Sequence, residues 1–146
     1  MTNRQDIVDL LITTLQKIKT DNGYSSDIGK NIFDYGEINL NKDNTPAISI
    51  YDYKNTIDPD KPNSFHNILS IRLDIICIDD HVINLRNHIR DIYKVLGENE
   101  DLFWSTYQAE LNPESDEMTH EKDMESIASA QLYFTITYPT PKWMLE

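Results

Sequence analysis

The chain has 146 residues, 13 Lys and Arg against 25 Asp and Glu, a formal net charge of −12 and a single cysteine, Cys77. That length suits one domain over 1–146, and the acidic balance argues against a free-standing DNA binder, whose affinity comes from cations that neutralise phosphates. A disulfide scaffold within the chain is excluded, and no run approaches the roughly 18 uninterrupted apolar residues of a membrane helix.

The first residues, MTNRQDIVDLLITTLQKIK, lack a small-residue cleavage site and do not read as a signal peptide. Arg4 to Thr20 reads instead as a helix, with Ile7, Val8, Leu11, Leu15 and Ile18 on one face. Thr2 or Asn3 can cap it, and Asp21-Asn22-Gly23 stops it. Ile28 to Leu40, turning at Asp34-Tyr35-Gly36, predicts a hairpin of two short strands. Pro46 opens a strand through Tyr53 that is rich in β-branched and aromatic residues. Residues 54–64, with Pro59 and Pro62, read as a flexible polar loop.

Phe65 to Ile78 alternates with period two and predicts a long strand, with Cys77 on its inward face as an inert buried thiol. Val82, Leu85, Ile89, Ile92, Val95 and Leu96 predict a second amphipathic helix, closed by Gly97. Leu102 to Leu111 reads as a strand, with Phe103 and Tyr107 inward and Trp104 on the opposite, open face. Residues 112–125 read as an acidic loop, Ile127 to Tyr138 as a final strand, and 139–146 as a tail ending in Trp143, Met144 and Leu145. The expected fold is α+β: a mostly antiparallel sheet with two amphipathic helices packed on one face.

Charge is concentrated in the second half. Residues 1–73 carry eight Lys and Arg against ten Asp and Glu, a net of −2; residues 74–146 carry five against fifteen, a net of −10. From Gly97 to Ser126 ten carboxylates face one Lys122. Glu114, Asp116, Glu117, Glu121, Asp123 and Glu125 are therefore candidates for a surface that repels anions or attracts a basic partner.

Chemistry is sparse. The sequence has no Gly-x-x-x-x-Gly-Lys-Ser/Thr, no Gly-x-Gly-x-x-Gly and no Gly-x-Ser-x-Gly, and only four glycines. His81 and His88, seven apart and near Asp79-Asp80, do not follow a recurrent zinc spacing and read as exposed helix residues. The expectation is a non-enzyme with no catalytic residue, metal or cofactor. Trp104, exposed on a strand, is an interface candidate.

The order of features resembles the tail terminator (tail completion or neck) proteins of long-tailed bacteriophages. The likeness lies in an N-terminal amphipathic helix followed by Gly23-Tyr24, an extended segment Pro46 to Asp52, a Pro-containing polar stretch, and a long strand beginning Phe65-His66-Asn67-Ile68-Leu69-Ser70-Ile71. A second helix carrying Ile89-Arg90-Asp91-Ile92-Tyr93 and a last strand ending Thr135-Ile136-Thr137-Tyr138 complete it. The acidic stretch 114–125 is not required by that pattern.

The resemblance implies a structural virion protein in the tail-neck region, assembled in the host cytoplasm. It implies a homo-oligomeric, typically hexameric ring that ends tail-tube polymerisation, contacts the tail tube protein and joins the head connector protein. DNA would pass through without specific binding, helped by a lumen of like charge. Candidate interface residues are Asn55, Asp58, Asp60 and Lys61 in the polar stretch, then Trp104, Trp143, Met144 and Leu145. The alternatives are a head-tail connector or stopper, or a non-viral acidic α+β module that captures a basic partner.

Overall fold

The structure, a computed structural model, describes residues 2–36, 41, 43–61, 64–78, 82–122, 126–141 and 143, with all their side chains except those of 60, 61, 82, 120–122 and 126. The fold is α+β, a mixed but mostly antiparallel five-stranded sheet with three helices.

Helix α1 spans Arg4–Leu15. Asn3 caps it reciprocally: its side chain accepts from the Asp6 N–H at 2.8 Å, and the Asp6 carboxylate accepts from the Asn3 N–H at 3.1 Å. The helix ends five residues earlier than the pattern suggests, because Lys17 and Ile18 turn back onto Thr14 and Leu15 in tighter i,i+3 bonds. Ile18 nevertheless stays in the core. A 3-10 turn at Thr20–Asn22 then closes on Gly23 at φ +88°.

The predicted hairpin at 28–40 is not formed as such. Strand β1 is only Ile32–Asp34, and it runs parallel to β2, Ala47–Lys61. Tyr35 takes φ +51° and turns the chain off the strand path. Ile38 and Leu40, the expected second strand, lie outside the described residues.

The stretch 54–61 is strand rather than loop. β2 continues through it, antiparallel to β3, Ser64–Ile78, from Lys54↔Ser70 to Lys61↔Ser64. Pro59 is accommodated because the register shifts between Asp58 and Lys61, and a bulge on an outer strand needs no ladder N–H there. Pro62 and Asn63 lie outside the described residues.

Helix α2 is Val82–Glu98 and helix α3 is Glu100–Tyr107. The second replaces the strand expected over 102–111. Phe103, Tyr107 and Leu111 are spaced by four, which satisfies both the strand and the helix period. Gln108 at φ +54° ends α3, and the Ala109 N–H returns to the Phe103 carbonyl. Strand β4, Glu110–Lys122, then occupies the stretch read as an acidic loop, and β5, Ser126–Pro141, returns beside it and includes the residues read as the start of the tail.

The sheet order is β1-β2-β3-β5-β4. One face is covered by Ile7, Leu11 and Leu15 of α1 and by Leu85, Ile92 and Val95 of α2, packed on Ile50, Leu73 and Leu132 of the three central strands. Each fully buried Leu or Ile contributes on the order of 1.5–3 kcal/mol. Along β3 burial alternates without a break, so Ile68, Ser70, Arg72, Asp74 and Ile76 form a half-buried second face with no helix over it among the described residues. Cys77 is buried on the helix side, as its place in the alternation predicts.

Candidate interaction surfaces

Among the described residues the histidines do not gather into a metal-binding cluster. His88 is 3% exposed, which corrects its reading as a solvated helix residue. Its Nδ1 shares a hydrogen bond with the Ser26 hydroxyl at 3.1 Å, while Asp91, one turn further along α2, accepts from the Ser25 N–H. These bonds tie residues 25–26 to α2, and nothing in the sequence near His88 signals them because the serines come from the other side of α1. His81, Asp79 and Asp80 lie outside the described residues. Among the described residues no three His, Cys, Asp or Glu side chains gather closely enough to hold a metal ion.

The candidates of the polar stretch divide. Asn55 is half-buried and donates to Asn67 Oδ1 at 3.0 Å, and Asn67 donates in turn to the Thr140 hydroxyl at 2.9 Å. Asn55 therefore belongs to a polar network joining β2, β3 and β5 rather than projecting from the sheet. Asp58 is half-buried opposite His66. Asp60 and Lys61 have their backbone in β2, and their side chains lie outside the described set. The exposed large apolar residues of this part of β2 are Tyr53 and Ile57.

Trp104 is 59% exposed, as expected, but on α3 rather than on a strand. Trp143 is 79% exposed and meets Phe65 edge-on, with ring centroids 5.3 Å apart. Met144 and Leu145 lie outside the described residues. Glu114, Asp116 and Glu117 are exposed along β4; the Glu121 side chain, Asp123 and Glu125 lie outside. Asp116 accepts from the Tyr93 hydroxyl at 2.8 Å. Burial first, then that donation and the carboxylate's charge, push the Tyr93 phenol up to about 12.

Two features escape sequence reading because each joins distant segments. Arg4 Nε meets Asp52 Oδ2 at 2.7 Å, pinning the start of α1 to β2. On the open face Arg72 bridges Asp74 at 2.9 Å and lies over the Tyr51 ring, 4.4 Å from its centroid. Desolvation raises the Asp74 carboxyl above its ordinary value, and Arg72 draws it part of the way back.

The two ends of the sheet differ. On one side β4 is the last strand, and residues 112–119 are exposed throughout. On the other, β1 covers only Ile48 to Ile50 of β2, and beyond Tyr51 the outer side of β2 has no strand partner among the described residues. Both ends present backbone donors and acceptors to a further strand. No protein-family model matches this chain, and no curated protein matches it in sequence. No helix among the described residues is long and apolar enough to cross a membrane.

Proposed function

We propose that the chain is a non-enzymatic structural subunit of a phage tail-neck ring, one that ends tube polymerisation and offers a joint to the head connector. A connector or stopper ring is the nearest variant. The observation that carries the reading is the pair of unlike sheet edges left without a strand partner among the described residues. Joining β4 to β4 by a two-fold axis would set Glu114, Asp116 and Glu117 against the same carboxylates of the partner. Joining β4 to the outer side of β2 would set them against a stretch of mixed charge, with Lys54 and Lys61 beside Asp58 and Asp60. Head-to-tail use of two different patches closes into a ring or runs on as a filament, whereas a two-fold contact stops at a dimer.

Native mass spectrometry at moderate salt, followed by negative-stain imaging, tests this. A closed ring of about six subunits is the expected species, free or seated on a tail tube. A monomer or two-fold dimer that persists across concentrations and fails to cap purified tail tubes sinks the reading. The second reading is an acidic module that captures a basic protein; the uncompensated carboxylates along β4 favour it, and it requires a salt-sensitive complex without a ring.

A further inference from the structure

Three hollows share walls along the seam between α3 and the start of β4. One of about 470 Å³ lies between Trp104 and His66. The next, about 460 Å³, is bounded by Trp104, Asp101 and Glu110. The third, about 90 Å³, closes over Leu96, Leu111 and Phe134. Trp104 and Glu110 wall the first two, and Glu100 and Leu111 wall the last two, so the three hollows follow one another along this seam, which we treat as one groove.

Its chemistry is one-sided. Glu100 and Asp101 stand one turn before Trp104 on α3, at spacings of four and three, and so share its face. Glu110 approaches from β4. All three carboxylates are exposed, and none has an ion-pair or hydrogen-bond partner among the described residues. No Lys or Arg is among the described residues that line the groove. Trp104 lines both larger hollows and is 59% exposed.

We infer that this groove docks an arginine-bearing apolar segment of a partner protein: a guanidinium stacks on Trp104 between the carboxylates of Glu100, Asp101 and Glu110, and a neighbouring aliphatic side chain enters the small hollow over Leu111. An indole face attracts a cation, and the planar guanidinium both stacks and pairs with carboxylates, which a lysine ammonium does less well. The small hollow has room for one aliphatic side chain, so the segment needs an apolar residue beside its cation. The inference is independent of the ring, since the groove belongs to a single subunit.

The test is fluorescence anisotropy of a labelled eight-residue peptide of alternating arginine and leucine, titrated with the full chain at two salt concentrations. Control peptides carry serine for leucine or glutamate for arginine. The arginine-leucine peptide should bind, more weakly at high salt, and both controls should bind at least about tenfold more weakly. E100Q/D101N/E110Q and, separately, W104A should each weaken binding about tenfold. D9N/D21N/D43N, which removes three exposed carboxylates elsewhere, should leave it unchanged. The proposal is overturned by no binding, by an equal loss in the remote triple variant, or by an unaltered W104A. All the substituted side chains are exposed; should the local triple variant lose its circular dichroism, E110Q and W104A carry the test.

Discussion

The Tyr93 hydroxyl donates to the Asp116 carboxylate at 2.8 Å and thereby fastens α2 to the edge strand β4. A second phenol, Tyr24, donates to Glu98 at 3.0 Å. Both are pushed from 10.0 up to about 12, by burial first and by the carboxylate they serve next. A raised folded value means that the fold favours the protonated phenol. That stabilisation is complete below pH 10 and disappears as pH rises through about 12. An ultraviolet titration should therefore find Tyr24 and Tyr93 among the tyrosines that ionise late, together with loss of structure. Tyr93→Phe should remove one late phenol and cost, at neutral pH, about 0.5–1 kcal/mol, the low end for a hydrogen bond at a partly exposed site. An unchanged titration curve in the variant would refute the assignment.

Gly29 lies beneath the end of α1. A Cβ there would stand 2.7 Å from the Ile18 carbonyl oxygen and 2.8 Å from those of Leu15 and Gln16, all backbone atoms with little freedom to move. Gly29→Ala should destabilise by about 1–3 kcal/mol. Gly97, inside α2, has nothing within 4 Å of the corresponding position. Gly97→Ala should stabilise by roughly 0.5–1 kcal/mol through helix propensity. Urea unfolding of the two variants measures both, and equal effects would contradict the packing described at Gly29.

Much of this architecture is legible from periodicity alone. The uninterrupted alternation of Phe65 to Ile78 and of Ile127 to Tyr138 marks β3 and β5, and the three-four spacing of Leu85, Ile89 and Ile92 marks α2. Strands at the margin are harder to read. β4 and the distal half of β2 are exposed, charged and punctuated by Pro113 and Pro59, so neither shows an apolar alternation. Their pairing comes from β5 and β3, the next strands along the chain, whose own apolar alternation belongs to the core. The Trp104 site was half visible. Its exposure follows from the opposite burial of Phe103, but the company of Glu100 and Asp101 emerges only once the segment is helical.

Arg72 holds Asp74 on the uncovered sheet face. With Asp74 half-buried and its carboxyl raised by desolvation, Arg72→Met leaves a carboxylate without its countercharge. The expected cost at neutral pH is about 1–3 kcal/mol. A raised folded value favours the protonated acid, so the deficit should shrink as pH falls through that value and grow as pH rises through it. Adding Asp74→Asn should restore most of the loss. Chemical denaturation of the single and double variants across acid pH checks this; a pH-independent deficit would show that the arginine contributes packing on Tyr51 rather than charge.

The two free edges permit a stricter test than oligomer mass alone. Ile57 lies where the outer side of β2 has no strand partner among the described residues, at 41% exposure, and Met118 lies on β4 at 40%. Neither supports the core, so Ile57→Lys and Met118→Lys should leave each subunit folded. Under head-to-tail association each substitution disables one of the two patches of every subunit, so each variant alone should be monomeric. Mixed together, the intact β4 of the Ile57→Lys subunit still finds the intact β2 of the Met118→Lys subunit. The mixture should therefore yield a heterodimer and stop there, because both remaining outer edges are disabled. A two-fold β4 contact makes a different forecast: Ile57→Lys alone would still dimerise, and the mixture would add nothing to it. Sedimentation velocity on the two variants and their mixture separates these outcomes, and a homodimer of the Ile57→Lys protein would rule out the ring geometry.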